Sequence, residues 1–317
     1  MDGSAGHEVQ VPEAVRLRAE MHGDVGRRWL ASLPDVVRGF ERDWDIRVGG
    51  VLQGGSAAYV AHVTMADGTS AVLKVHMPSI ETLAGELRVL QIANGRGYVR
   101  LLRRDEGRGA LLQERLGPRL SRLGFSVRTQ MTIICKTLQR AWIQPPDPSV
   151  FQSGVDKARY LRDFTVRTWE TLGRPCPENL VEHAYAFSRE REAAFDPERA
   201  VLLHGDAHGD NTLAPFGGEI SPASTFSFID PEGLFAERAY DLSVLMRAWT
   251  RQLVAGDPLT RGRERCHYLA ELTGEAPEAI WQWGFMERVS TGFLLLHMGR
   301  EAEGRDFLRV AQAWMQS

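Results

Sequence analysis

The chain has 317 residues, 43% of them apolar, and carries a formal charge of −3 from 38 basic and 41 acidic side chains. That length can bury a substantial core and favours two domains over one, while arginines dispersed among acids exclude a nucleic-acid surface. The first ten residues lack the apolar centre of a signal peptide and no apolar run approaches the ~20 residues that span a bilayer, so a cytoplasmic protein with no membrane partner is expected.

Residues 11 to about 44 have amphipathic helical spacing, with Val15, Leu17, Trp29, Leu30, Val36, Val37 and Phe40 among charged positions and a break expected near Leu33-Pro34. From Ile46 the texture changes to short strands, Ile46 to Leu52, Tyr59 to Met65 and Ala71 to Val75, the last two joined by the hairpin signal Ala66-Asp67-Gly68-Thr69. Gln53-Gly54-Gly55-Ser56 is a turn whose backbone can approach phosphates closely, although Gly-Gly turns often only turn. Lys74 lies in the apolar strand Ala71-Val72-Leu73-Lys74-Val75, where it either faces solvent on an edge or needs a compensating charge.

A partner is at hand in the next helix. After Pro78-Ser79, a reasonable N-cap, Ile80, Leu83, Leu87 and Leu90 mark one face and Glu86 sits beside that stripe. A strand lysine paired with a helix glutamate is an arrangement that holds nucleotide phosphates. The segment Arg108 to Pro118 then runs from an apolar strand into a Gly-Pro break, a candidate hinge. Beyond it helical spacing dominates, over 126–143, 155–172, 178–195, 239–254, 263–273 and 277–315 in pieces, with 201–230 as the only strand-like interruption. Cys135, Cys176 and Cys266 are widely separated and read as reduced core thiols rather than a disulfide framework or zinc site.

The densest chemistry lies in Val201-Leu202-Leu203-His204-Gly205-Asp206-Ala207-His208-Gly209-Asp210-Asn211-Thr212-Leu213. An apolar run delivers a short polar loop in which Asp206 and Asn211, five apart, can present a carboxylate to a substrate hydroxyl and an amide oxygen to a metal ion. Polar loops also hold capping Asp and Asn residues, but a second carboxylate, Asp230, follows the strand-like Thr225 to Ile229 directly. Two carboxylates and an asparagine at strand ends suit magnesium and phosphate. Asp241, in Ala239-Tyr240-Asp241-Leu242, reads as a helix cap or a support for this loop.

This ordered set resembles the aminoglycoside phosphotransferases, in the streptomycin 6-kinase and hydroxyurea phosphotransferase branch. The likeness runs through Gly54-Gly55-Ser56, Ala71 to Val75, Gly109 to Leu116, His204-Gly205-Asp206 with Asn211, Ile229-Asp230-Pro231 and Ala239 to Leu242. It implies an α+β, two-lobed protein-kinase-like fold, with a small antiparallel-sheet lobe over residues 1–115 and a larger helical lobe over 116–317. It also implies ATP with Mg2+ and phosphorylation of a hydroxyl on a small antibiotic. By the resemblance Asp206 would orient the acceptor, Asn211 and Asp230 would bind the metal, Lys74 would hold the phosphates and Glu86 would fix Lys74. Gly55 and Ser56 would cover the phosphates, and Glu114 and Leu116 would offer hinge backbone to adenine. Ala207 and Gly209-Asp210 depart from the family's usual residues, and the segment from Ala214 to Thr225 is long, which leaves the acceptor open among streptomycin, hydroxyurea, a peptide antibiotic and a sugar alcohol. No obligate protein partner is implied. A nucleotide-binding module without catalysis is the competing class, and it has no need of Asp206.

Overall fold

The structure is a computed structural model that describes residues 9–53, 55, 58–78 and 82–316. It divides into two units, Met1–Gly117 and Pro118–Ser317.

The first unit starts with α1 (Glu13–Met21) and α2 (Gly23–Trp44). The helical break falls at His22-Gly23 and not at Pro34, which lies inside α2. A proline removes one helical hydrogen bond, but Leu33, Val37 and Phe40 around it are buried in the core, and that burial holds the helix together. Next come β1 (Ile46–Val51), β2 (Ala58–Met65), β3 (Ser70–His76), α3 (Thr82–Ala93), β4 (Leu101–Asp105) and β5 (Ala110–Glu114). The strands form one antiparallel sheet in the order β1-β2-β3-β5-β4. Gly68, with φ of 83°, turns the β2–β3 hairpin, and Ala61, Val63, Leu73 and Leu112 pack against α2 residues in the core.

The second unit contains α4 (Val127–Ala141), β6 (Gln152–Ser153), α5 (Gly154–Thr171), α6 (Glu178–Ala193), β7 (Val201–Leu203), β8 (Thr212–Leu213), β9 (Ser227–Phe228) and β10 (Leu234–Ala236). It ends with α7 (Ala239–Arg247), α8 (Thr250–Val254), α9 (Pro258–Thr273), α10 (Pro277–His297) and α11 (Glu301–Trp314). β8 and β9 form a hairpin, while β6, β10 and β7 form a small sheet. Thus strands also occur outside residues 201–230, at β6 and β10, pieces of two and three residues that are too short to show a period.

The helix expected over 239–254 is two helices. They part at Trp249, whose φ is 51°. Arg265 donates to the carbonyls of Leu245 (3.2 Å) and Ala248 (2.6 Å), and Arg288 donates to that of Met246 (2.6 Å), so guanidinium groups satisfy the end of α7 in place of a continuing helix. The central helix α10 packs against α7, α11, α6 and α5. Its approach to α7 depends on Gly284, where an added Cβ would stand 2.6 Å from Met246 Cβ. Gly284→Ala should therefore push α7 and α10 apart and cost about 1–3 kcal/mol, measured as a lower denaturant midpoint with an unchanged slope.

Candidate active site

Buried β7 leads into the loop at His204, which is fully buried. Gly205 has φ of 89°, and a Cβ there would meet Glu232 Cβ at 2.9 Å, so conformation and space both require glycine. Asp206 follows at the edge, partly open. Asn211 precedes β8 and Asp230 follows β9. The hairpin register pairs Thr212 with Phe228, and Ile229 N donates to Asn211 O at 3.0 Å, so Asn211 and Asp230 stand at one end of the hairpin. Asn211 Nδ2 donates to the Asp206 carbonyl at 3.1 Å and lies 3.5 Å from Asp206 Oδ2. The structure thus brings Asp206, Asn211 and Asp230 into one loop cluster, and Asp230 adopts the left-handed φ of 57° that few non-glycine residues take.

The loop hangs on Asp241, which is fully buried in the first turn of α7. Its carboxylate accepts from His204 N (3.1 Å), Gly205 N (2.8 Å) and Trp142 Nε1 (2.9 Å). Burial raises the Asp241 pKa, and the charge of His204 and these donors oppose that rise. Burial pushes His204 down, and its Nε2 donates to Ile229 O at 3.0 Å, tying β7 to the residue before Asp230.

Asp206 is held from both oxygens. Arg247, the last residue of α7, donates from Nη2 to Oδ1, and His208 Nε2 lies 3.2 Å from Oδ2. Burial works against the Asp206 charge, but the His208 contact and the Arg247 charge outweigh it and hold the carboxyl well below the usual carboxylate range. Arg247 Nη1 donates to buried Glu287 at 2.7 Å, and Tyr240 Oη donates to the same carboxylate at 2.6 Å. On the other side Lys157 Nζ lies 3.4 Å from Glu232. His208, Gly209, Asp210 and Arg247 line a cavity of about 740 Å3, which Asp306 and Glu303 also line.

In the first unit Lys74 Nζ lies 2.6 Å from Glu86 Oε2, with both residues buried. Gln113 Nε2 donates to Glu86 Oε1 at 3.2 Å, and His76 Nε2 lies 3.1 Å from Oε2. Burial opposes the Glu86 charge, but the Lys74 ammonium and His76 overcome it and hold the carboxyl at about 2. Gly55 has open space where a Cβ would be, so no steric contact within the described residues requires glycine there. Ser56 and Gly54 lie outside the described residues, as do Ser79 and Ile80. Glu114 N donates to Arg100 O at 2.9 Å, which leaves only its carbonyl for another partner, and half-buried Leu116 lies two residues beyond β5.

Sequence reasoning passed over Arg247, His208, His76, Gln113 and Glu287. His76 and Gln113 had a usable signal: β3 alternation puts His76 on the Lys74 face, and register sets Gln113 opposite Val72 on that same face. Arg247 and Glu287 had none, because their partners are 41 and 40 residues away.

The donor set suits a hard divalent cation. Asn211 turns its amide nitrogen toward Asp206, which leaves its oxygen on the other side, and Asp230 adds a carboxylate. Among the described residues no group of three His, Cys, Asp or Glu could hold a metal. An ion held by one amide and one carboxylate would complete its shell with water and phosphate oxygens, as Mg2+ does. Among the described residues no helix is long and apolar enough to cross a membrane.

The fold is that of the two-lobed, protein-kinase-like phosphotransferases. The choline kinase LicA from Streptococcus pneumoniae superimposes with a TM-score of 0.59 at 14% identity, over 88% of this chain and 97% of that one. The aminoglycoside-3'-phosphotransferase of type VIII gives 0.52 at 17%, over 80% and 98%. In sequence, residues 43–299 match the aminoglycoside/hydroxyurea antibiotic resistance kinase family, and the chain belongs to that family. A streptomycin 6-kinase from Streptomyces glaucescens is 31% identical over 87% of this chain and 88% of its own, and a hydroxyurea phosphotransferase from Kitasatospora aureofaciens is 34% identical over 75% and 68%. The protein is accordingly a kinase of an antibiotic-resistance family.

The Lys74–Glu86 pair has a pH signature. Because the folded Glu86 pKa of about 2 lies below its ordinary 4.5, its stabilisation is complete above pH 4.5 and is lost as pH falls toward 2. Denaturant midpoints of wild type and Glu86→Gln should therefore differ most above pH 4.5 and converge as pH falls toward 2. A gap that is constant with pH would rule out a charged Glu86 held by Lys74.

Proposed function

We propose that this protein transfers the γ-phosphoryl group of ATP to a hydroxyl of streptomycin or a related aminoglycoside. The observation that carries the choice of acceptor is the cavity of about 740 Å3 beside Asp206, bordered by the two residues that hold that carboxylate, by the acids Asp210, Glu303 and Asp306 and by Arg251 and Arg300. Its size is in the range of pockets for drug-sized ligands, which suits an aminoglycoside better than a molecule as small as hydroxyurea. The streptomycin 6-kinase relative supports the same reading.

In this mechanism Asp206 accepts the hydrogen bond of the acceptor hydroxyl and aims its oxygen at the phosphorus. Arg247 and His208 keep Asp206 ionised at neutral pH, so it orients the acceptor and receives its proton late, as a loose phosphoryl-transfer transition state permits. Lys74, fixed by Glu86, binds the α and β phosphates, and Gly55 and Ser56 cover them. The Glu114 carbonyl and the Leu116 backbone take the adenine edge. Asn211 and Asp230 would hold Mg2+, which when bound would neutralise phosphate charge. Hydroxyurea is the second reading, favoured by the relative at 34% identity.

Labelled ATP incubated with streptomycin, other aminoglycosides and hydroxyurea, with mass analysis of the products, separates these readings. Phosphate should pass to an aminoglycoside hydroxyl. Asp206→Asn should lower turnover by about 10² to 10⁴ fold with ATP affinity retained, whereas Asp230→Asn should weaken magnesium-dependent ATP binding as well. Nucleotide binding without transfer to any acceptor would instead mark a non-catalytic module.

A further inference from the structure

The tripeptide His-Gly-Asp occurs twice in this loop, as His204-Gly205-Asp206 and again as His208-Gly209-Asp210. Both copies make the same local hydrogen bond. The imidazole Nδ1 accepts the backbone N–H of the aspartate two residues on, at 3.1 Å for His204 and 3.2 Å for His208. A ring nitrogen that accepts has no hydrogen of its own, so the proton of each neutral ring lies on Nε2. His204 bears this out independently, because its Nε2 faces the Ile229 carbonyl, which can only accept.

In the second copy the same tautomer has a different target. His208 Nε2 lies 3.2 Å from Asp206 Oδ2, and the ring is about one-third exposed on the wall of the cavity. Its backbone is pinned, since His208 O accepts from Asn211 N (3.0 Å) and from Thr212 Oγ1 (2.9 Å). The neighbouring Asp210 carboxylate accepts from Ser121 Oγ at 2.5 Å, which anchors the far side of the turn.

We propose that His208 is a positioning residue that donates its Nε2–H to Asp206 and does not carry the acceptor's proton. This rests on the reading of Asp206 as the carboxylate that orients the acceptor. Nε2 already bears a hydrogen, and a second proton could enter the ring only at Nδ1, whose lone pair is engaged by Asp210 N–H. Arg247 binds Oδ1 while His208 addresses Oδ2, so donors on both oxygens set the plane of the carboxylate. Oδ2 also faces Asn211 Nδ2 at 3.5 Å, whereas Oδ1 keeps a lone pair for the acceptor hydroxyl.

Two amide substitutions separate the roles of the ring. In His208→Asn the side chain reaches only to the level of Nδ1, so it can keep the turn with Asp210 but falls short of Asp206. In His208→Gln it reaches to the level of Nε2, so it can donate to Asp206 but cannot relay a proton. With MgATP and streptomycin, Gln should keep most of the wild-type kcat, and Asn should lose about tenfold or more, the loss expected for a hydrogen bond to a charged group. KM for ATP should hold in both. Equal losses in the two variants would assign proton transfer to His208 and overturn the proposal, and full activity in the Asn variant would reduce His208 to a turn residue and overturn it too. Long-range 1H–15N spectra of the wild-type rings at neutral pH need no substrate. They should show His208 as the Nε2–H tautomer, and an Nδ1–H or doubly protonated ring would refute the assignment. If the wild-type enzyme transferred nothing to streptomycin, the proposed acceptor would fail while the ring spectrum would still decide the tautomer.

Discussion

The candidate site depends first on a buried carboxylate that does no chemistry. Asp241 is enclosed in protein, and an ionised group in that position is costly unless donors surround it. It receives three, two of them the consecutive N–H groups of His204 and Gly205, so satisfying Asp241 fixes the backbone that leads into Asp206. The helix that carries Asp241 also ends in Arg247, which grips the Asp206 side chain. One short helix therefore sets both the path of the loop and the orientation of its carboxylate. That helix is set in turn by Gly284 against its side and by Arg265 and Arg288 at its end.

The first unit solves a similar problem with a different balance. Glu86 is buried with Lys74, His76 and Gln113 around it, so the acid meets two basic groups and a neutral donor. A buried pair of this kind contributes little net stability compared with an apolar replacement, yet losing one partner strands the other's charge. Its value lies in placing the ammonium, and Lys74 and Glu86 are expected to behave as one unit rather than as two additive ones.

Much of this was readable from residues that are close in sequence. The strands of the first sheet, the Lys74–Glu86 pairing and the clustering of Asp206, Asn211 and Asp230 all follow from period, spacing and strand ends within short windows. What escaped depends on contacts between distant segments. The split between α7 and α8 comes from guanidinium groups 17 and 42 residues away, which no local pattern around Trp249 announces. Pro34 looked like a break because its lost hydrogen bond is visible in sequence, whereas the compensating burial of Leu33 and Phe40 against the sheet is not. Arg247 falls inside the helix expected over 239–254, and only the fold brings it to Asp206 and Glu287.

The electrostatics of that meeting bear on how the proposed reaction proceeds. A carboxylate that takes a proton early must be basic, and a general base is most effective when its pKa lies near the working pH. Here Arg247 and His208 do the opposite: they hold Asp206 below the ordinary range and so make it a poor base but a firmly oriented, fully charged acceptor of hydrogen bonds. That suits a transition state in which the phosphoryl group is already loosely bound before the acceptor oxygen commits, because there the hydroxyl needs direction more than deprotonation. The same two donors stand on the wall of the cavity, so an acceptor that fills it meets the groups that aim Asp206. Under the proposed function, Arg247 and His208 would couple acceptor recognition to alignment of the carboxylate.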